Sequence, residues 1–176
     1  IGNKRANALG NKGKLRICCD IDGEKAENLA KKHGAIASTE PKDIFGMKEV
    51  DIVIISTLHD SLSFFTKSAI EAGKHVLVEK PGGRSFLEIE DVIKSSKDSS
   101  SKIRVGFNHR FHPSIIKAKE IVDCNLLGSL MFIRARYGHG GRVGYEKEWR
   151  ANPLLSGGGE IIDQGSHLID LSRMFL

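Results

Sequence analysis

Between residues 15 and 107, short apolar runs alternate with longer stretches whose apolar positions recur at three- and four-residue steps. The runs cover 15–19, 51–56, 75–78 and 103–107, and the longer stretches include 24–33, 61–72 and 85–97. Successive apolar residues such as Val76-Leu77-Val78 predict a strand buried on both faces, as in parallel rather than half-exposed antiparallel sheets. The longer periodicity predicts amphipathic helices, closed by Gly73 at a C′ position and by the polar run SSKDSSSK. Strands and helices in alternation predict a parallel sheet covered by helices.

Beyond residue 107 the pattern changes. A helix is predicted over 113–122, then GSLMFIRARYGHG, whose alternation predicts a long strand of an antiparallel or mixed sheet. A glycine-rich loop and a last helix over 159–175 follow. The change divides the chain into two predicted domains, 1–108 and 109–176. The opening IGNKRANALG is helix-like, with no initiator Met and no strand ahead of it, and the chain closes in mid-helix, so it reads as a fragment. The expected fold class is α/β. It is a Rossmann-type doubly wound parallel sheet whose first strand lies outside the chain, followed by the start of an α/β substrate domain with an open mixed sheet. In the strand order 3-2-1-4-5-6 that first strand is central, so the isolated stretch is expected to fold poorly.

Composition narrows the classes of function. The net charge of +5 raises the question of nucleic acid, but basic residues come only in pairs such as Lys4-Arg5 and Lys31-Lys32. Aromatics, at 6%, do not interleave with them as a stacking surface requires, so no nucleic-acid partner is expected. Cys18 and Cys19 point to opposite faces of a strand and Cys124 is remote, which fits neither a disulfide framework nor a zinc site. A reducing, cytoplasmic location follows as the default. No apolar run approaches the roughly 20 residues that span a bilayer, so no membrane partner is expected.

Three stretches carry candidate chemistry. In HVLVEKPGG, Glu79 and Lys80 stand at the carboxyl end of a strand, where an open α/β sheet keeps its ligand crevice, and Pro81 stiffens the exit. They face a bound molecule or form a solvated strand end. In LRICCDID, Asp20 ends the second strand of a dinucleotide fold, where a carboxylate accepts hydrogen bonds from the adenosine ribose and repels a 2′-phosphate. That favours NAD over NADP; a plainer role is a helix cap by Asp20 or Asp22. Gly2 lies at the right distance from Asp20 to be the third glycine of G-x-G-x-x-G, with Ile1 and Gly2 the visible part of a phosphate-binding turn. In SGGGEIIDQGSHLID, Asp163, His167 and Asp170 are spaced by four and three and share one helix face. This is a reactive site, a metal pair or a polar surface stripe. Asp-x3-His supplies only two ligands, so no metal is expected.

EAGKHVLVEKPGG, VGFNHRFHP and SGGGEIIDQGSHLIDL, in this order and separation, resemble the Gfo/Idh/MocA oxidoreductases, the glucose-fructose oxidoreductase and inositol dehydrogenase type, over nearly the whole chain. The resemblance implies an NAD-binding Rossmann domain and a second domain whose open sheet forms a substrate face and an oligomer interface, with the parent protein a homo-oligomer. It implies that Lys80 hydrogen-bonds the reacting hydroxyl near the nicotinamide and that Asp163 and His167 contact the substrate. Ser56 and Thr57, with His59 behind them, resemble the cofactor segment after a strand, although Leu58 and Leu62 stand where Pro and His are usual. Asn108 and Arg110 match the turn N-x-R-F-x-P that approaches cofactor or substrate, a structural ion pair being the other role for Arg110. GHGGRVGYEKEWRANP resembles the substrate-side loop of members acting on sugars and nucleotide sugars. There Trp149 offers a flat face to a pyranose ring or belongs to the core, and Arg150 offers an anion contact.

The expected activity is hydride transfer between a nicotinamide cofactor and a secondary hydroxyl of a sugar, nucleotide sugar or polyol. The expected cofactor set is Ile1, Gly2, Asp20, Ser56, Thr57, His59, Glu79, Lys80 and Asn108; the substrate set is Lys80, Arg110, Trp149, Arg150, Asp163 and His167. His167 is the expected general base, Asp163 orients it or holds a neighbouring hydroxyl, and Lys80 stabilises the developing alkoxide, with Lys80 as base the open alternative. Two other readings stand beside this one. One is a lyase or glycosidase that uses NAD with no net redox change, and the other is a non-catalytic dinucleotide-sensing regulator. The isolated stretch is expected to bind NAD weakly.

Overall fold

The computed structural model describes residues 1–138 and 143–176. Its first part alternates as the sequence predicts: α1 (Gly2–Leu9), β1 (Ile17–Cys19), α2 (Gly23–His33), β2 (Ile36–Ser38), α3 (Pro41–Gly46), β3 (Ile52–Ile55), α4 (His59–Glu71), β4 (His75–Val78), α5 (Phe86–Ser96) and β5 (Ile103–Val105). Local chemistry sets several boundaries. Asp22 accepts from the Lys25 amide at the start of α2, and Ser85 accepts from the Glu88 amide at the start of α5, each 3.3 Å. Behind α4, Gly73 at φ 72° lets its own amide reach Ile70 O at 2.8 Å and the Lys74 amide reach Ala69 O at 2.9 Å, which closes the helix in a Schellman motif.

The strands pair in parallel as two sheets, β1–β2 and β3–β4–β5, which share no ladder bonds. Val53, Ile55, Val76 and Val78 face Leu62, Ala69 and Ile70 of α4 and Val92 of α5, and this is the centre of the core. The opposite face differs from the expectation of a sheet covered on both sides. Ile52 is 60% exposed, because β3 buries alternate residues only. The pair β2 and α3 lies where the sequence pattern predicts no element; each is too short to show a period.

The second part consists of a 3-10 turn (Asn108–Phe111), α6 (Pro113–Asp123), 3-10 turns at Tyr145–Lys147 and Trp149–Ala151, α7 (Pro153–Ser156), a π-helical turn (Ile161–Gly165) and α8 (Ser166–Phe175). The strand expected over GSLMFIRARYGHG does not form among the described residues. Residues 129–138 make no ladder, and Met131 and Phe132 point into solvent. Alternation becomes a strand only where a neighbouring edge pairs with it, and none of the five described strands pairs with this segment. Residues 139–140 of that expected strand lie outside the described residues. The parallel α/β part of the expected fold class is observed, and the mixed sheet does not form among the described residues.

Candidate active site

Ser56, Glu79 and Gly106 follow β3, β4 and β5 directly, so three parallel strands deliver their next residues to one rim. That rim is the carboxyl edge, where open α/β sheets bind ligands. Beyond β4 the Lys80–Pro81 peptide is cis, and Lys80 Nζ donates to the Asp163 backbone carbonyl at 2.7 Å and to its carboxylate Oδ1. The partners stand 83 residues apart in the chain and come from different parts of it. Burial pushes the Asp163 carboxyl upward, but the Lys80 hydrogen bond and charge, with Arg150, more than reverse this and hold it below the usual carboxylate range. Arg150 Nε stands 3.3 Å from Asp163 Oδ2, and Gln164 Nε2 donates to the same oxygen at 3.2 Å. Asp163 lies in the π turn, a local irregularity that occurs often at functional sites.

His167, one residue into α8, is buried, and its Nδ1 has no hydrogen-bond partner among the described residues. Asp163 is therefore engaged by Lys80 and Arg150 and makes no hydrogen bond to the His167 Nδ1. The ring instead meets aromatic groups. His109 stacks on it with centroids 3.8 Å apart and planes 33° apart, and Phe107 and Tyr137 approach edge-on at 6.0 and 6.3 Å. Burial, together with the charges of His109 and Lys80, lowers the His167 pKa to about 4, against the pull of Asp163 and Asp170. Sequence reasoning did not single out His109, and only its place inside the quoted turn VGFNHRFHP could have drawn attention to it.

His59, at the first position of α4, is also buried; its Nδ1 donates to Ser156 O at 2.9 Å and its ring meets Trp149 edge to face at 4.7 Å. Burial is the main cause that lowers its pKa. The Ser156 carbonyl is positioned by Gly157, at φ 84°, where a Cβ would lie 2.7 Å from Arg84 Cβ. Arg150 covers one face of Trp149, its guanidinium carbon 4.5 Å from the ring centroid, and also pairs with Glu148 at 3.6 Å. Arg110 is held by Asp170 in a two-bond pair, with Nε 2.7 Å from Oδ2.

The expected cofactor residues assemble in part. Ser56 Oγ is buried without a partner, and Gly2, at the start of α1, would place a Cβ 3.7 Å from Ser56 Cβ. No side chain caps α1 at Ile1. Asp20 is exposed at the end of β1, with one oxygen accepting from the Asp22 amide at 3.0 Å. A buried hydroxyl at Ser56 and an exposed carboxylate beyond β1 fit a dinucleotide with its ribose toward Asp20. Thr57 and Asn108 are exposed on the same rim. Glu79 instead accepts from Arg5 Nε of α1 at 2.6 Å, tying that helix to the rim. Among the described residues no group of His, Cys, Asp and Glu could hold a metal ion, and no helix is long and apolar enough to cross a membrane.

Comparison with known proteins extends this geometry. Residues 1–107 match the family model described as "Oxidoreductase family, NAD-binding Rossmann fold", and residues 115–176 match the "GFO/IDH/MocA C-terminal domain". Levoglucosan dehydrogenase of Pseudarthrobacter phenanthrenivorans is 26% identical, the match covering 90% of this chain and 41% of that protein. Inositol 2-dehydrogenase 2 of Saccharopolyspora erythraea is also 26% identical, over 88% of this chain and 43% of that one. Among solved structures, myo-inositol 2-dehydrogenase from Lactobacillus plantarum superposes with a TM-score of 0.87 at 30% identity, covering 99% of this chain and 52% of that one. The chain thus spans about half the length of the relatives it matches. With both domain models matched and the parallel strands presenting Lys80 to Asp163, the chain belongs to the GFO/IDH/MocA oxidoreductase family.

Proposed function

We propose that the protein is an NAD-dependent oxidoreductase that oxidises a secondary hydroxyl of a sugar or polyol. Residues 1–108 form its dinucleotide-binding domain and 109–176 the first part of its substrate and oligomerisation domain. The observation that carries the proposal is the pairing of Lys80, on the rim behind β4, with buried Asp163, one helical turn before buried His167. When bound, the nicotinamide supplies the hydride acceptor. Asp20 favours NAD over NADP through repulsion of a 2′-phosphate. Lys80, its charge balanced by Asp163, donates to the substrate oxygen and stabilises the negative charge that develops there.

His167 takes the hydroxyl proton. With a pKa near 4 it stays neutral across the physiological range, and it has no competing partner at Nδ1. The same low pKa makes it a weak acceptor, which favours a second reading in which Lys80 is the base. The pH profile of kcat/KM separates the two. If His167 is the base, the acid limb lies near pH 4 and both the limb and most of the rate disappear in His167→Asn; a rate that survives that substitution reassigns the base to Lys80.

The substrate proposed is uncharged. Among the described residues, four cations of the cluster already have carboxylates: Lys80 has Asp163, Arg150 has Asp163 and Glu148, Arg110 has Asp170 and Arg84 has Glu88. A phosphorylated or nucleotide-linked sugar would have to displace one of these pairs. Net NADH formation with a neutral polyol tests the whole proposal. A family lyase or glycosidase would regenerate its NAD, and a dinucleotide-sensing regulator has no use for the Lys80, Asp163 and His167 constellation. The unpaired Cys18, Cys19 and Cys124 suit a reducing, cytoplasmic setting. The proposed partners are the small-molecule substrate and further copies of the chain, with no nucleic acid.

A further inference from the structure

His109 lies outside the set of residues that the sequence assigns to chemistry, yet among the described residues it makes the nearest ring contact to His167. The two imidazoles stack with centroids 3.8 Å apart, and the Tyr137 hydroxyl lies 3.5 Å from His109 Nε2 while the Tyr137 ring meets His109 edge-on at 5.2 Å. His109 is half-buried in the 3-10 turn behind β5, and His167 is buried in α8, so the stack joins the sheet rim to the last helix. Among the described residues the His167 Nδ1 has no hydrogen bond, and no other ring contact approaches it as closely as His109. A catalytic imidazole is ordinarily held in orientation by a hydrogen bond to its second nitrogen. Here an aromatic face takes that place.

We propose that His109 is a positioning residue for His167, holding the imidazole in its reactive plane by stacking and allowing no more than one of the two rings to be positively charged. Two protonated rings at this separation would repel strongly in a partly dry site. The other groups acting on His167 do not remove that constraint. Lys80, behind β4, opposes protonation; Asp163 in the π turn and Asp170 in α8 favour it; and Arg110 already neutralises Asp170. His112 adds to the unfavourable charge around His109. The stack therefore keeps both rings neutral where the site works and couples their titrations as acid is added.

This inference rests on the reading of His167 as a working group of the active site, but its test can be read separately from activity. The imidazole resonances of His109 and His167 are followed by NMR titration in the protein and in His109→Phe and His109→Ala. The phenylalanine keeps an aromatic face and removes the charge, so His167 is expected to titrate higher by about half a unit or more while kcat stays within about threefold. The alanine removes the face, and kcat is expected to fall about tenfold or more with KM little changed, because a misplaced base acts on the chemical step. A merely structural contact would lower the stability of both variants without separating their kcat values. Independent titrations in the wild type, or equal kcat in both variants, would overturn the proposal. Coupled titration in a protein that forms no NADH would support the stack and sink the dehydrogenase reading instead.

Discussion

Acid should weaken the folded protein through its buried histidines before it reaches the carboxylates, and His167 sets the size of the effect. In the fold its pKa is about 4; in the unfolded chain it is near 6.5. Between these values the unfolded state binds more protons than the folded state, so unfolding free energy rises with pH across this window. The contribution is fully present above pH 6.5 and is lost as pH falls toward 4. A shift of this size corresponds to about 3 kcal/mol, most of it lost by about pH 4.5. The assay is urea unfolding of the wild type and of His167→Asn at a series of pH values between 7.5 and 4.5. His59, lowered by burial, remains in the variant, so the difference between the two proteins reads His167 together with its coupling to His109. Asp163, lowered from 3.8, keeps its contribution above that value and loses it only as pH falls through its folded pKa, outside the window. The wild type should lose about 3 kcal/mol relative to the variant on acidification. A stability gap that stays constant with pH would refute the burial argument.

Three further outcomes are expected. Asp163→Asn leaves Lys80 without its carboxylate in a largely buried site; a loss of about 3 kcal/mol in denaturant unfolding and of at least about a hundredfold in kcat is expected. Gly157→Ala places a Cβ 2.7 Å from Arg84 Cβ at φ 84°, so a loss of about 2 kcal/mol should appear in the unfolding midpoint, with the Ser156 carbonyl displaced from His59. In calorimetry, a neutral polyol should bind at least about tenfold more tightly than its phosphate ester, a preference of about 1.4 kcal/mol, and tighter binding of the ester would show that one of the paired arginines is available to an anion.

The parallel half of the fold was legible because its signals are local. The run at residues 75–78 became β4, the amphipathic stretches became α2, α4 and α5, and Gly73 closed α4. The 129–138 stretch shows the limit of the same reasoning, since alternation describes a strand but not the neighbour it needs. At the site, residue spacing put Asp163 and His167 on one face, but the π turn and the pairing of Asp163 with Lys80 depend on contacts between distant parts of the chain. For the same reason Arg150 was read as an anion contact, whereas two carboxylates and the face of Trp149 engage it. His109 was missed because its significance lies wholly in the ring it meets.

The central claim is that the cluster behind β4 uses NAD to oxidise a neutral hydroxyl compound, and the most direct measurement is NADH formation with a panel of neutral polyols and sugars, run for the wild type and Lys80→Met. NADH is expected to accumulate in the wild type with at least one member of the panel, and the rate to fall at least about a hundredfold in the variant. Equal rates in the two proteins would remove Lys80 from the chemistry, and NAD binding without NADH formation from any member would contradict the account.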